Sequence, residues 1–181
     1  MTRTFTKRPG TPYEDGRIRL EEYEVQGTDG QVHLRTVVRH PGAVVLLALT
    51  EDDELVLIRN RRLALLDATG GELLELPAGC LEKGEEPLEA AARELREETG
   101  YRAGQLEALF EFFPSPGLLD ERMSVFVARG LTKGEQDLDP TEAMSVELWP
   151  WGKVLDAIDA GEVFDGKTIA AVLFYERRRR T

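Results

Sequence analysis

Cysteine occurs once, at Cys80, and histidine twice, at His33 and His40. A single thiol excludes an internal disulfide and a cysteine-rich zinc site, and two histidines are too few for a histidine-built metal centre. His33 and His40 read instead as strand-surface or core residues. Long apolar runs are also absent. The longest, Ala43 to Leu49, has seven residues, where a membrane-spanning helix needs about 20. The opening MTRTFTKRPG carries no apolar stretch of the secretory kind, so a cytoplasmic protein with no membrane partner is the expectation. Positive charge is in deficit: 23 Lys and Arg against 34 Asp and Glu leave a net charge of −11. A nucleic-acid backbone, which demands a basic patch, is therefore not the expected partner. The one basic cluster, Arg177 to Arg180, reads as the solvated end of a last helix, where cations suit the dipole. A phosphate or a membrane surface is its alternative ligand. No repeat or low-complexity linker interrupts the 181 residues, and that length suits one core plus a small extension.

Acid is plentiful, and it is clustered. Residues 79–101 read GCLEKGEEPLEAAARELREETGY. Pro87 to Thr99 is predicted as a helix, with Pro87 at a first helical position, where its missing N–H costs nothing, and Gly100 just past the end. At about 100° per residue, Leu88, Ala91, Ala92 and Leu95 share an apolar arc, with Glu94 and Glu98 about 40° apart beside it. Two like charges about 5 Å apart repel by roughly 3 kcal/mol at an effective dielectric near 20. Crowding Glu94, Glu97 and Glu98 is thus unfavourable unless a cation joins them. Mg²⁺, a hard ion that prefers oxygen, meets that need and keeps positions open for phosphate oxygens and water. The competing reading, a solvated acidic helix, leaves Glu85, Arg93 and the bracketing glycines Gly79 and Gly100 without a reason. A nucleophilic role for Cys80 is disfavoured because no activating histidine is nearby.

This stretch resembles the signature of the Nudix hydrolases, G-x5-E-x7-R-E-U-x-E-E-x-G-U, with U a bulky aliphatic residue. Gly79, Glu85, Arg93, Glu94, Leu95, Glu97, Glu98 and Gly100 match in order, and Tyr101 departs at the last position. The resemblance implies an α/β fold, an α/β/α sandwich around a mixed sheet, over residues 42–181. It also implies that Glu94 and Glu98 ligate Mg²⁺ (or Mn²⁺), with Glu97 nearby and the backbone carbonyl of Ala78 completing one site. Arg93 would pair with Glu85 and fix the loop to the helix.

Elsewhere the pattern is of strands with few helices, the mark of a sheet covered by helices. Arg17 to Gln26 and Gln31 to Arg39 alternate around Thr28-Asp29-Gly30 and predict a hairpin. Ala43 to Thr50 and Glu54 to Asn60 predict a second pair, and Glu72 to Leu76 a short strand before the signature. Gln105 to Phe113, Met123 to Ala128 and Ser145 to Trp149 follow as strands, then helices at Trp151 to Ala160 and Lys167 to Arg178. A hairpin cannot bury its face alone. Residues 1–41 are accordingly expected to be an N-terminal β extension, and in the ADP-ribose branch of the family a similar sheet packs across a twofold axis, which implies a homodimer.

Three further stretches resemble that branch: IRNRR at Ile58 to Arg62, ELPAG at Glu75 to Gly79, and PSPGLLDER at Pro114 to Arg122. Asn60 stands where the branch commonly has Gln, and the connection from Arg62 to Glu75 is long; both touch the expected substrate wall. Arg62 can fork to phosphate or stack on a base, with a surface bridge between strands as its bland alternative. Glu75 could pair with Arg62 or accept a hydrogen bond from a ligand. Ser115 and Pro116 form a rigid loop able to wall a base or ribose, and Glu121 follows at the branch's acidic position. The implied reaction is Mg²⁺-dependent hydrolysis of a nucleoside diphosphate sugar, ADP-ribose to AMP and ribose 5-phosphate, by in-line attack of water. The resemblance places the base on the loop LTKGEQDLDPTEAMSVE, with Glu142 the choice and Glu135 the alternate. GDP-mannose is a rival substrate, a non-catalytic nucleotide-sugar sensor is a rival of another class, and a triphosphate-cleaning enzyme fits the Pro116 loop less well.

Overall fold

The apolar run at residues 43–49 becomes a strand covered on both faces. In a computed structural model of the chain, which describes residues 5–10, 12–140 and 142–180, β5 (Ala43–Ala48) is buried at every position. Its alternate side chains enter two cores, which is why the sequence runs apolar instead of alternating. Val44, Leu46 and Ala48 pack with Val56, Phe126 and the helix residues Ala90, Ala91 and Leu95. Val45, Leu47 and Leu49 pack with Leu57, Val125, Trp151, Val154 and Val172 on the other side. Leu46 and Leu47 are both fully buried, so truncating either to alanine costs about 2–5 kcal/mol.

Around β5 the sheet is mixed. β8 (Ala78–Cys80) pairs antiparallel with β5, β10 (Met123–Lys133) pairs parallel with it, and β9 (Tyr101–Phe112) pairs antiparallel with β10. A second sheet has the order β11-β6-β7, from β6 (Glu54–Arg61), β7 (Glu72–Glu75) and β11 (Ser145–Pro150). Helix α2 (Pro87–Thr99) supplies one core; α3 (Trp151–Asp159) and α4 (Gly166–Arg179) supply the other. The expected α/β/α layering is present. Two strands are longer than predicted: β9 starts at Tyr101, and β10 runs to Lys133 past Gly130, whose φ of 63° lets it face Gly104. The long connection after Arg62 is not a bare loop. It holds a 3₁₀ turn at Leu63–Leu65 and α1 (Leu66–Thr69), closed by Gly70 in the left-handed region.

Before this body lies a separate four-stranded sheet. β3 (Arg19–Gln26) and β4 (Val32–Arg39) make the predicted hairpin, and β1 (Phe5–Lys7) and β2 (Tyr13–Glu14) line the opposite edge of β3. Its polar nucleus is Glu21, 2% exposed, which takes Lys7, Arg19, Arg39 and the Tyr23 hydroxyl around one carboxylate. Lys7 first, then Arg39 and the Tyr23 hydroxyl, hold its pKa at about 2 against the effect of burial. Arg39 also reaches Asp120 at 2.9 Å, and Val38 bridges to Leu119, joining this sheet to the segment after β9. The basic run ends α4 as expected: Arg179 pairs with Asp53 at 2.7 Å and lies over Trp151, and Arg180 pairs with Glu176.

Candidate active site

Of the α2 carboxylates, Glu98 lies within the buried arc and Glu94 at its edge. Ala90, Ala91, Leu95, Glu98 and Thr99 are buried, whereas Leu88 and Ala92, expected on the apolar arc, are exposed. The reason is on the facing strand. Gly79, in β8, leaves room for the Glu94 carboxylate: a Cβ there would come within 2.0 Å of Glu94 Cδ. Glu98 is 4% exposed, and its Oε2 accepts a hydrogen bond from the Ala78 N–H at 2.8 Å.

Burial pushes Glu98 up to about 8; the Ala78 N–H opposes the shift, the Glu94 and Glu142 charges add to it, and Arg62 draws it back. Glu94 is raised too, first by burial and then by Glu97 and Glu142, against the pull of Arg93. Carboxylates raised by burial and by neighbouring acids are short of positive charge.

Arg93 binds the loop to the helix as the resemblance implied. Its Nε and Nη2 grip Glu85 at 2.8 and 2.9 Å, Nη2 also donates to the Cys80 carbonyl, and Nη1 reaches Glu94 at 2.7 Å and Glu97 at 3.1 Å. Glu85 is held below the usual carboxylate range by that fork. Glu97 also takes Arg96 at 2.6 Å, and Arg96 extends to Asp137 at 2.9 Å. Sequence reasoning missed this clamp between α2 and the following loop, although a basic residue between two signature acids was its visible trace.

The donor set suits a hard divalent cation. Glu94, Glu97 and Glu98 offer only carboxyl oxygen, Gly79 opens the wall behind Glu94, and burial disfavours the ionised form of Glu98 until a cation joins it. Among the described residues no three acidic, histidine or cysteine side chains already form a cage. Glu94 and Glu97 are instead held by Arg93, and loading an ion means sharing those oxygens with it.

The charge of Glu142 is felt at the same place from the far loop. Its charge is among those raising both Glu94 and Glu98, while its Oε2 accepts from the Asp139 N–H at 3.1 Å within its own turn. Glu135 lies elsewhere, against Gly100 past the end of α2. The loop between them is tied to α2 by Gln136 on the Glu98 carbonyl and Asp137 N–H on the Glu97 carbonyl.

Arg62 and Glu75 form a two-point pair, Nε to Oε1 at 2.8 Å and Nη2 to Oε2 at 2.7 Å. Glu75 is fully buried and also holds Lys167, so it serves Arg62 and not a ligand directly. Burial pushes the Glu75 carboxyl up, but its two cations win and the net shift is down. Arg62 itself keeps 43% of its side chain exposed, with Glu98 and Asp165 among the charges that raise its pKa. Lys167 was not singled out in the sequence; its one trace was its place inside the capping pair Asp165–Thr168 of α4.

The structure corrects the isolation of Cys80. The Ala43–Cys80 pairing of β5 with β8 brings His40 Nε2 to 3.6 Å from its Sγ, and Glu121 lies 3.8 Å from His40 Nδ1. The thiol is nonetheless pushed up, by burial first and by Glu121 next, the opposite of an activated nucleophile. Ser115 and Pro116 are exposed, in a turn whose Ser115 carbonyl accepts from Leu118 and Leu119 N–H.

A glycine-walled, arginine-braced trio of glutamates on one helix is the geometry that known families can be set against. The NUDIX domain family matches residues 38–172. The chain belongs to this family and is a Nudix hydrolase. A Bacillus methanolicus protein named methanol dehydrogenase activator is 38% identical over 161 residues, covering 88% of this chain and 85% of its own. An ADP-ribose pyrophosphatase of Bacillus subtilis (strain 168) gives the same identity, length and coverage. A GDP-mannose pyrophosphatase of Escherichia coli (strain K12) is 35% identical over 158 residues, 81% of each chain. In fold, a crystal structure described as an ADP compounds hydrolase superposes with a TM-score of 0.79 at 22% identity, over 97% of this chain and 94% of that one.

Proposed function

We propose that this protein hydrolyses the diphosphate bond of a nucleoside diphosphate sugar, ADP-ribose before others, to a nucleoside monophosphate and a sugar phosphate. The observation that carries the reading is the Glu94 carboxylate, half-buried against Gly79, together with the buried Glu98 on the next turn of the same helix, the charge of Glu142 being felt at both from a separate loop. Glu94, Glu97, Glu98 and the Ala78 carbonyl would hold Mg²⁺, with Mn²⁺ a substitute. Bound there, the ion supplies charge neutralisation for the diphosphate and a more acidic water.

The chain's own residues divide the remaining tasks. Glu142 accepts the proton of the attacking water, its loop kept near α2 by the Arg96–Asp137 pair. Arg62, aimed by Glu75, binds a phosphate oxygen or stacks on the base. Arg93 and Glu85 keep the glutamates in register with β8, a supporting role whose loss typically costs as much as a weak ligand. Ser115, Pro116 and Glu121 would wall the sugar or base.

GDP-mannose is the second reading, favoured by the GDP-mannose pyrophosphatase relative; Asn60 and the helical insert Leu63–Thr69 depart from the ADP-ribose branch at the expected substrate wall beside Arg62. A cytoplasmic homodimer completes the proposal, with residues 1–41 as the dimerising extension and 42–181 as the catalytic domain. The first sheet supports it by exposing Phe5, Val32 and Leu34, and light scattering on the eluting protein would read its mass directly. Among the described residues no helix is long and apolar enough to cross a membrane.

The test is product analysis of the pure protein with Mg²⁺ and a panel of nucleotide sugars and nucleoside triphosphates. AMP and ribose 5-phosphate from ADP-ribose, faster than any other product, is the expected result. Inactivity across the panel refutes the reading and favours a sensor.

A further inference from the structure

We propose that Lys167 is a positioning residue for substrate binding: from inside the fold it holds Glu75, and Glu75 sets the Arg62 guanidinium beside the carboxylate cluster. The inference rests on the nucleotide-sugar reading above and adds to it the device that aims the anion-binding arm.

Lys167 is the second residue of α4 and is 8% exposed. Its ammonium pairs with Glu75 Oε2 and, at 3.0 Å, with Asp165 Oδ2, the carboxylate that caps this helix through Thr168. Stability alone gives no reason for this arrangement, because an apolar residue in place of a buried ion pair is often neutral or stabilising. What the pair does have is a consequence for the surface. Glu75 is fully buried and hydrogen-bonds Arg62 with both oxygens, so the orientation of that carboxylate fixes the orientation of the guanidinium. Lys167 shares Oε2 with Arg62 Nη2 and pins it from behind.

Arg62 needs such a brace. It stands at the junction of β6 with the inserted 3₁₀ turn, where the next residue, Leu63, is 82% exposed. Half-exposed itself, the guanidinium is held by Glu75, three residues before Ala78, whose N–H binds Glu98 at 2.8 Å. Without Lys167 the Glu75 carboxylate has one cation left in the interior and is free to rotate toward it, drawing Arg62 inward. Arginine's value at an anion site lies in a fixed fork, so such a shift weakens ground-state binding of the diphosphate and leaves the water-activating groups in place.

The experiment is steady-state kinetics on ADP-ribose with Mg²⁺ for wild type, Lys167→Met, Lys167→Arg, Arg62→Ala and the double variant Arg62→Ala/Lys167→Met, each checked for folding by its thermal melt. Lys167→Met should raise KM about tenfold with kcat within about threefold, a split that marks lost binding and not lost chemistry. Lys167→Arg should recover most of that loss. In the Arg62→Ala background the same methionine should change KM less than about twofold, because its effect passes through Arg62. If Lys167→Met does not fold, Lys167→Gln, which keeps a donor for Glu75 without the charge, takes its place. An unchanged KM, or an equal increase with and without Arg62, overturns the inference while leaving the functional reading standing. No turnover by wild type overturns both.

Discussion

Replacing Gly79 with alanine isolates the feature on which the site depends. Gly79 has no positive φ, so the backbone of β8 accepts alanine without strain. The added methyl, however, would sit 2.0 Å from Glu94 Cδ and Oε1 and 2.2 Å from Oε2, where ordinary contact begins at 3.4 Å. The carboxylate must therefore retreat by the difference between 3.4 and 2.0 Å, about 1.4 Å. It is the far end of a flexible side chain, so the fold yields cheaply and the melting temperature should move by only a few degrees. The site does not yield cheaply: a displacement near 1 Å costs on the order of 10²-fold in rate when reacting groups are held in place. Gly79→Ala should consequently melt like wild type, turn over nucleotide sugar about 10²-fold more slowly, and require more Mg²⁺ for half-activation. Turnover within about threefold of wild type at the same Mg²⁺ requirement would refute the argument that Glu94 must lie against β8.

Glu142→Gln should cut kcat about 10²–10⁴-fold with KM nearly kept, the loss of a general base; near-normal turnover would remove Glu142 from the chemistry. Arg93→Lys keeps the charge but not the fork to Glu85, so activity or Mg²⁺ affinity should fall about 10–100-fold, and an unaltered Mg²⁺ titration would contradict that role. For pH, Glu21 titrates at about 2 in the folded sheet against an ordinary 4.5, so its contribution is complete above pH 4.5 and is lost as pH falls toward 2. The melting-temperature gap between wild type and Glu21→Gln should accordingly be constant above pH 4.5 and shrink below it; a gap independent of pH down to 2 would show that Glu21 is not paired as described.

The sequence made visible whatever depends on local pattern. The hairpin at residues 19–39, the strand at 43–48 and the helix at 87–99 follow from alternation, an unbroken apolar run, and Pro87 and Gly100 at the helix ends. The ion pair of Arg93 with Glu85 followed from the resemblance to the Nudix signature. Hidden were features made by partners distant in the chain. β1 and β2 are too short to alternate, lie among Pro9 and Pro12, and exist because β3 offers them an edge. The buried arc of α2 takes in Glu98, with Glu94 at its edge against Gly79, where helical periodicity alone places Leu88 and Ala92. His40 meets Cys80, and Lys167 meets Glu75, across 40 and 92 residues of chain. Polar residues with no apolar rhythm gave no sign of which distant partner each would meet.

The central claim is that the clustered glutamates gather a divalent ion in order to act on a diphosphate. The most direct measurement strips the protein with a chelator, titrates Mg²⁺ back, and follows ADP-ribose cleavage by phosphorus NMR in wild type, Glu94→Gln and Glu98→Gln. The expected result is no cleavage without the ion, saturable recovery in wild type, and much weaker recovery in both variants. Cleavage that survives the chelator, or variants that recover at the wild-type Mg²⁺ concentration, would contradict it.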